Sequence, residues 1–421
     1  MRVLHVIPDV NGGGASKGAY RIHQAVTAEG IQSELLVLRN PSNEPNTYAA
    51  LVGLGGWLKR KRYKSKERHI KKQMDDLITD NPALHSYGLT SVELLPLINR
   101  SDADIIHLHW IIHMLTIEEI AQITKPIVWT FADMWPICGG EHYVLDDSPS
   151  ARFRVGYLSN NQPAYERGAD YNRFAWERKR QQWGNKFFHI AACSHWLAQC
   201  AKASPIFTQS HIEAINYPLD TNLFRPYSRQ SSRDKFQLPH DKKIILAGAT
   251  GGVNSLYKGG DLLRDAVNAL AHDKKNDIVV ALFGASDDRS SNCTLPVYPI
   301  GPIEEETTLA QLYSSADIFV MPSRQEAFGQ VASEAQSCGI PVVAFNHGGA
   351  MDIVDHQKTG WLATPFDPKN LAYGINYLID QKINGVDFAA PARERAIKLF
   401  SSEQIGKKYC ALYEKCLSRH A

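Results

Sequence analysis

Glu326 and Glu334 are separated by seven residues, with Phe328 and Gly329 between them. Upstream, Asp317-Ile318-Phe319-Val320-Met321 has an apolar strand pattern. Downstream, Gln330 to Ser337 reads as a short helix that Gly339 ends and Pro341 forbids to continue. The order is strand, loop with Glu326, helix with Glu334. A helix N-terminus presents unpaired N–H groups and partial positive charge, so it can hold a phosphate. Gly329 lets a ligand come close to the backbone. One carboxylate before the helix and one inside it can accept hydrogen bonds from two sets of hydroxyls. A nucleotide-sugar offers such sets in its sugar and its ribose. The spacing alone equally suits a helix packed on a strand with two solvated glutamates, because Glu is usually exposed.

Other residues invite the same scrutiny. Lys258 precedes Gly259-Gly260 and a helix from Asp261, after a strand at Lys243–Ala247 and the glycine-containing stretch 248–252. A lysine beside glycines and helix amides suits a phosphate, although Lys258 by itself reads as a surface lysine. Asn11-Gly12-Gly13-Gly14 links a strand at Val3–Ile7 to a helix from Ala15 to about Glu29. That turn lacks the Gly-x-Gly-x-x-Gly spacing of a dinucleotide site. It serves either as a tight turn or as a close approach to a ligand. Asp104–Trp110 is a strand whose alternation puts His107 and His109 on one face and Trp110 on the other. Ligands sit at the carboxyl edge of parallel sheets, so His109 is the better candidate, with a satisfied core histidine as the alternative. Asp102-Ala103-Asp104 precedes its strand and reads as a strand entry rather than a metal site. Ala132 and Asp133 follow the strand Ile127–Phe131.

These positions need two cores. At 421 residues the chain exceeds one domain. Apolar residues make up 44% and charged residues 21%, as in globular enzymes. A formal net charge of +2 gives no global field for nucleic acid. The seven cysteines contain no Cys-x-x-Cys pair, which favours reduced thiols and a cytoplasmic setting. The opening Met1–Ile7 is too short for a signal peptide, and no run approaches the ~18 apolar residues of a membrane span. In residues 57–72 nine Lys or Arg stand against one Glu. That segment is either a solvated helix or loop, or a docking element for an anionic membrane surface, with Trp57, Leu58 and Tyr63 beside it.

The segment 321–341, followed by Gly348-Gly349, Ile353-Val354 and Gly360-Trp361-Leu362-Ala363, resembles the signature of the family 4 retaining glycosyltransferases. The resemblance implies an α/β, GT-B fold of two Rossmann-like domains facing across a cleft. It implies an acceptor-side domain at 1–218, a donor-side domain at 219–395 and a last helix, 396–421, crossing back. It leaves 40–100 and 144–170 least covered. The stretch 217–226 is similar to the family's interdomain hinge. By resemblance, Lys258 and the amides near Phe328 and Gly329 bind the donor diphosphate and Glu334 the ribose. Glu326 binds donor-sugar hydroxyls and helps stabilise an oxocarbenium-like centre, and Gly13 and Gly14 line the cleft. The family's attack comes from the leaving group's own face, assisted by the leaving phosphate. It implies no protein nucleophile, no metal and no other cofactor. The implied partners are a nucleotide-sugar donor and a glycan or lipid-linked glycan acceptor, as in bacterial surface polysaccharide assembly.

Trp129 to Tyr143 is similar to a subgroup pattern, Trp-Thr-Leu-His-Asp-Met-Trp-Pro-Phe-Thr-Gly-Gly-Cys-His-Tyr, at ten of fifteen positions. Its histidine, which in the family faces the reacting centre, falls on Ala132, whose side chain cannot donate, accept or carry charge. Three readings stay open: an inactivated His-to-Ala variant, a natural enzyme using Asp133 or His109, or a protein that kept binding and lost catalysis. Another GT-B chemistry, such as sugar-nucleotide epimerisation, is a further alternative. Glu141 replaces the subgroup's cysteine, and 144–170 reads as a polar insertion loop. The family's phosphate-binding arginine is missing from 253–257 or supplied elsewhere.

Overall fold

The computed structural model describes residues 1–10, 12–39, 44–74, 76–145, 147–248, 256–270, 276–284 and 293–419. Asn11, Asp146 and the stretch 249–255, on which several sequence expectations rest, lie outside them. The chain forms two compact units. Unit 1 is Met1–Tyr217 with Ile405–Ala421, and unit 2 is Pro218–Gln404.

Unit 1 is built on β1 (Arg2–Val6), β2 (Gln32–Val37), β3 (Thr47–Ala49), β5 (Ile105–Leu108), β6 (Ile127–Phe131), β8 (His189–Ala192) and β9 (His211–Ala214). They form one parallel sheet in the order β3-β2-β1-β5-β6-β8-β9. The short β4 (Ile78–Thr79) and β7 (Glu166–Arg167) pair antiparallel to each other. Central strands such as Ile105–Leu108 are buried along their whole length, as parallel strands covered on both faces must be. The order reverses between β1 and β5, and that switch point carries the Gly12–Gly14 turn and residues 109–110. Helix Gly14–Ala28 returns on the sheet with Ala19, Ile22, Ala25 and Val26 buried.

Helix Gly53–Gln73 behaves differently, since only Gly56 and Tyr63 are buried along it. Tyr63 bonds His113 Nδ1 at 2.5 Å, and Arg62 and Lys66 pair with Glu93. The opposite face presents Leu54, Trp57, Lys61, Lys64, Arg68, Lys71 and Lys72, all exposed, with Lys61 lying over the Trp57 ring. The expected loop at 144–170 is more ordered than its polarity suggests. Arg152 is buried and pairs with both Glu166 and Asp170, and a short helix runs over Arg152–Val155. Helix Ser402–Ser418 supplies buried Ile405, Tyr409, Leu412 and Tyr413 to unit 1. Among the described residues no helix is long and apolar enough to cross a membrane.

Unit 2 repeats the plan with β10 (Lys243–Gly248), β11 (Ile278–Phe283), β12 (Val297–Gly301), β13 (Ile318–Met321), β14 (Val342–Phe345) and β15 (Gly360–Ala363). They run parallel in the order β12-β11-β10-β13-β14-β15, with the switch point between β10 and β13. The helix expected at Gln330–Ser337 has those bounds. Helix Ala389–Phe400, which packs on it through Ala392, Ala396 and Phe400, was not anticipated from the sequence.

Candidate functional site

In unit 2, Lys258 ends the single turn Leu256–Lys258 and Glu326 stands in the loop after β13. Lys258 Nζ donates to Glu326 Oε2 at 2.7 Å, and Ser323 Oγ donates to the same oxygen at 3.3 Å. With Gly248, Met321, Pro322 and Val331 these residues line one small recess at the carboxyl ends of β10 and β13. Gly329 caps helix Gln330–Ser337 in the left-handed region, φ 100°, and a Cβ there would lie 2.9 Å from Met321 Sδ. The backbone therefore needs glycine where the helix amides begin. Gly259 is required for a stronger reason, since a Cβ would sit 2.0 Å from the Pro322 carbonyl oxygen. That close approach brings the Lys258 turn against the Glu326 loop.

Arg324 locks the two loops together. Its fork donates to Asp261 Oδ1 at 2.7 Å and Oδ2 at 2.5 Å and to the Leu256 carbonyl, while its own N–H donates to the Tyr257 carbonyl. The Arg324 hydrogen bond holds the Asp261 carboxyl below its usual range. Glu334 lies in the helix, 4% exposed, and accepts from Tyr313 Oη at 2.9 Å. Phe328 is buried edge-on against Phe400, so its ring belongs to the core.

In unit 1, Gly13 is the N-cap and Gly14 the first residue of helix Gly14–Ala28, and a Cβ on Gly13 would meet nothing within 4 Å. His109 is not at an open strand end. It is 3% exposed and shares a 2.9 Å bond, Nε2 to Nδ1, with His5. His107 is held between the Tyr413 and Thr130 hydroxyls, each at 2.8 Å. His23, on the first helix, meets His5 edge-on and bonds Ser33. Burial holds His109 down at about 3, and His23 down at about 4 against the pull of Glu44. Burial also keeps His5 and His107 well below the usual histidine range. Ligand atoms of His5, His107 and His109 lie within 4.8 Å of one another. His107 already spends both nitrogens on hydroxyls, and His5 Nε2 and His109 Nδ1 find no partner among the described residues. The set reads as a chain of neutral imidazoles packed in the core.

Asp133 is 7% exposed. Its Oδ2 accepts from His142 Nδ1 at 2.5 Å and from Trp110 Nε1 at 2.8 Å, and its Oδ1 from the Trp135 amide at 3.0 Å. The other nitrogen of His142 faces Ser86 Oγ at 3.2 Å. Below this group, buried Lys179 donates to the carbonyls of Trp135, Cys138 and Gly139 and fixes the turn that carries them. Glu141 accepts from Tyr157 Oη at 2.5 Å and serves the packing of that turn.

Residues 228–398 match the family model described as glycosyl transferases group 1. The matched residues all lie within unit 2. D-inositol 3-phosphate glycosyltransferase 2 of Catenulispora acidiphila is 31% identical over 202 residues, 44% of this chain and 47% of that protein. D-inositol 3-phosphate glycosyltransferase 1 of the same organism is 33% identical over 211 residues, 47% of this chain and 50% of that protein. The chain thus spans about half the length of the curated relatives it matches. Sucrose-phosphate synthase from Thermosynechococcus elongatus is similar in structure, with a TM-score of 0.69 at 18% identity over 100% of both chains. Anabaena HepE in complex with UDP-glucose follows at 0.63 and 17%, over 99% of this chain and 100% of that one. The architecture is the GT-B fold.

Within unit 2 the structure brings together Lys258 and Glu326, places Gly329 beside Glu326, and sets Glu334 one turn along the helix that Gly329 caps. The clamp residue Arg324 and the orienting Tyr313 escaped sequence reasoning. An arginine two residues before Glu326 was visible, but its partner Asp261 is 63 positions away. In unit 1, His142 was legible inside the Trp129–Tyr143 resemblance, whereas nothing local marked Ser86.

Proposed function

We propose that the protein is a nucleotide-sugar-dependent glycosyltransferase that retains anomeric configuration, with unit 2 holding the donor and unit 1 serving the acceptor. The observation that carries this reading is the Lys258–Glu326 pair beside the left-handed Gly329. Each group meets the other's charge until a ligand arrives. A donor diphosphate then takes Lys258 and the first amides of helix Gln330–Ser337, which stabilise the charge that grows on the departing oxygens. Glu326, released, accepts from donor-sugar hydroxyls and faces the positive charge developing at the anomeric carbon. Glu334, its rotamer set by Tyr313, holds the ribose. Lysine and helix amides supply the positive charge, and the scheme calls for no metal.

The test is a melting series with nucleotide-sugars, led by UDP-sugars because HepE was solved with UDP-glucose. Ligand at a hundredfold excess over its Kd adds about 2.7 kcal/mol to the fold it binds. No shift with any nucleotide-sugar would end the proposal. Ala132 favours a second reading, a non-catalytic nucleotide-sugar binder. Turnover in Ala132→His but not in the present chain identifies an inactivated enzyme. Binding without turnover in both forms identifies the binder.

The acceptor in this proposal is a glycan or lipid-linked glycan, reached from an anionic membrane surface. The support is the outer face of helix Gly53–Gln73, where Lys61, Lys64, Arg68, Lys71 and Lys72 share one side with exposed Trp57 and Leu54. Each basic residue near such a surface contributes about 1 kcal/mol. Reversing Lys61, Lys64 and Arg68 to glutamate is expected to cut sedimentation with anionic vesicles by roughly 100-fold in affinity or more. Unchanged vesicle binding would remove the membrane from the proposal.

A further inference from the structure

The Ser86–His142–Asp133 chain is unused by the donor scheme above. Its three members come from separate segments, yet the distances run 3.2 Å from Ser86 Oγ to His142 Nε2 and 2.5 Å from His142 Nδ1 to Asp133 Oδ2. Asp133 is an acceptor to His142, so the imidazole proton sits on Nδ1 and Nε2 is left bare. The Ser86 hydroxyl must then donate inward to Nε2. Its oxygen lone pairs are thereby left to accept from outside. The backbone on both sides of that hydroxyl is fixed, since the Ser86 amide donates to the Gly140 carbonyl at 2.6 Å and its carbonyl accepts from Trp135 Nε1 at 2.5 Å. His142 is 4% exposed, while Ser86 and Trp110 are only half-buried. Trp110, whose indole N–H is spent on Asp133, stands 5.8 Å from the His142 ring, centroid to centroid. The group lies at the carboxyl ends of β5 and β6, the edge where this sheet type binds ligands.

We propose that Ser86 is the hydrogen-bond acceptor that reads a hydroxyl of the acceptor sugar, and that His142 and Asp133 are positioning residues that hold it in the accepting state. The proposal deepens the glycosyltransferase reading and rests on it. It assigns the subsite to a neutral carbohydrate presenting an O–H, with Trp110 beside it as an apolar surface. The imidazole absent at residue 132 is thus present ten positions later, turned to serve a serine.

Acceptor kinetics are measured in the present chain, or in Ala132→His if only that form turns over. Ser86→Ala should raise the acceptor KM 10- to 100-fold. His142→Gln should also raise the acceptor KM while leaving kcat at saturating acceptor nearly unchanged, a split that a merely structural loss would not give. Donor-induced melting shifts, read in unit 2, should stay unchanged in both variants and certify the fold. Saturation-transfer NMR with the acceptor glycan gives the same comparison without turnover, and Ser86→Ala should lose the signal. Retained acceptor affinity in Ser86→Ala, or an unchanged acceptor KM in His142→Gln, overturns the proposal. So does stoichiometric labelling of Ser86 by a fluorophosphonate, which would make the trio an acyl-transfer nucleophile. An absent donor shift in the unmodified protein is a different failure and counts against the glycosyltransferase reading itself.

Discussion

Lys258→Ala is expected to lower the turnover of sugar transfer by roughly 10²–10³-fold, the usual loss when one charge-stabilising donor is removed. The lysine tip is 2.7 Å from the Glu326 carboxylate and the side chain is 30% exposed. Stability should hardly change, because pairs open to water contribute little. Lys258→Arg should recover only part of the loss, since a planar fork does not replace a compact point charge. The decisive comparison varies the leaving group. A donor whose leaving group needs less stabilisation should restore rate to Lys258→Ala. Glu326→Gln, in contrast, should keep its defect, because it weakens the sugar side of the transition state. If both variants respond alike to leaving-group quality, the division of labour between them is wrong.

Acidification should unfold unit 1 well before unit 2. His5, His23, His107 and His109 are all held neutral by burial, with His109 near 3 and His23 near 4. Their folded pKa values are depressed below an unfolded value near 6.5. Stability from such groups is complete above that value and is lost as pH falls toward the folded pKa, because the unfolded chain takes up the protons. At pH 5 each contributes a loss of about 2 kcal/mol, roughly 8 for the four. Glu166 moves the other way. Burial and Glu141 raise it to about 7, so its protonation favours the fold on acidification and offsets about one histidine. The remaining loss of about 6 kcal/mol is comparable to the whole stability of many domains. Seven of the eight tryptophans, all but Trp361, lie in unit 1, so tryptophan fluorescence chiefly reports its melting. The expected result is a melting temperature more than about 10 °C lower at pH 5 than at pH 7.5. Coincident melts at the two pH values would show that the histidines are not kept neutral.

The donor-side features were readable because each is local. A strand, a glycine and a helix carrying two glutamates lie within a short run, and Gln330–Ser337 has the expected bounds. The rest depends on contacts that no local pattern encodes. His109 reads as a strand-end ligand because alternation gives its face and says nothing of what covers that face. What surrounds it is His5 from β1 and His107 from β5 itself, with Tyr413 more than 300 positions away holding His107. Ser86 falls in the part of the chain with the least patterned sequence, and its bond to His142 spans 56 positions. Residues 144–170 read as a loop because their polarity is high, yet buried Arg152 turns part of that polarity into internal ion pairs.

Helix Ser402–Ser418 has a consequence for how the protein is made. Its Tyr409 and Tyr413 close over Thr130 and His107, so the first unit to be synthesised lacks part of its own core until the second has been translated. An emerging chain therefore carries an unfinished sheet past nearly two hundred later residues, and its nascent form is the stage at which a chaperone has most to protect.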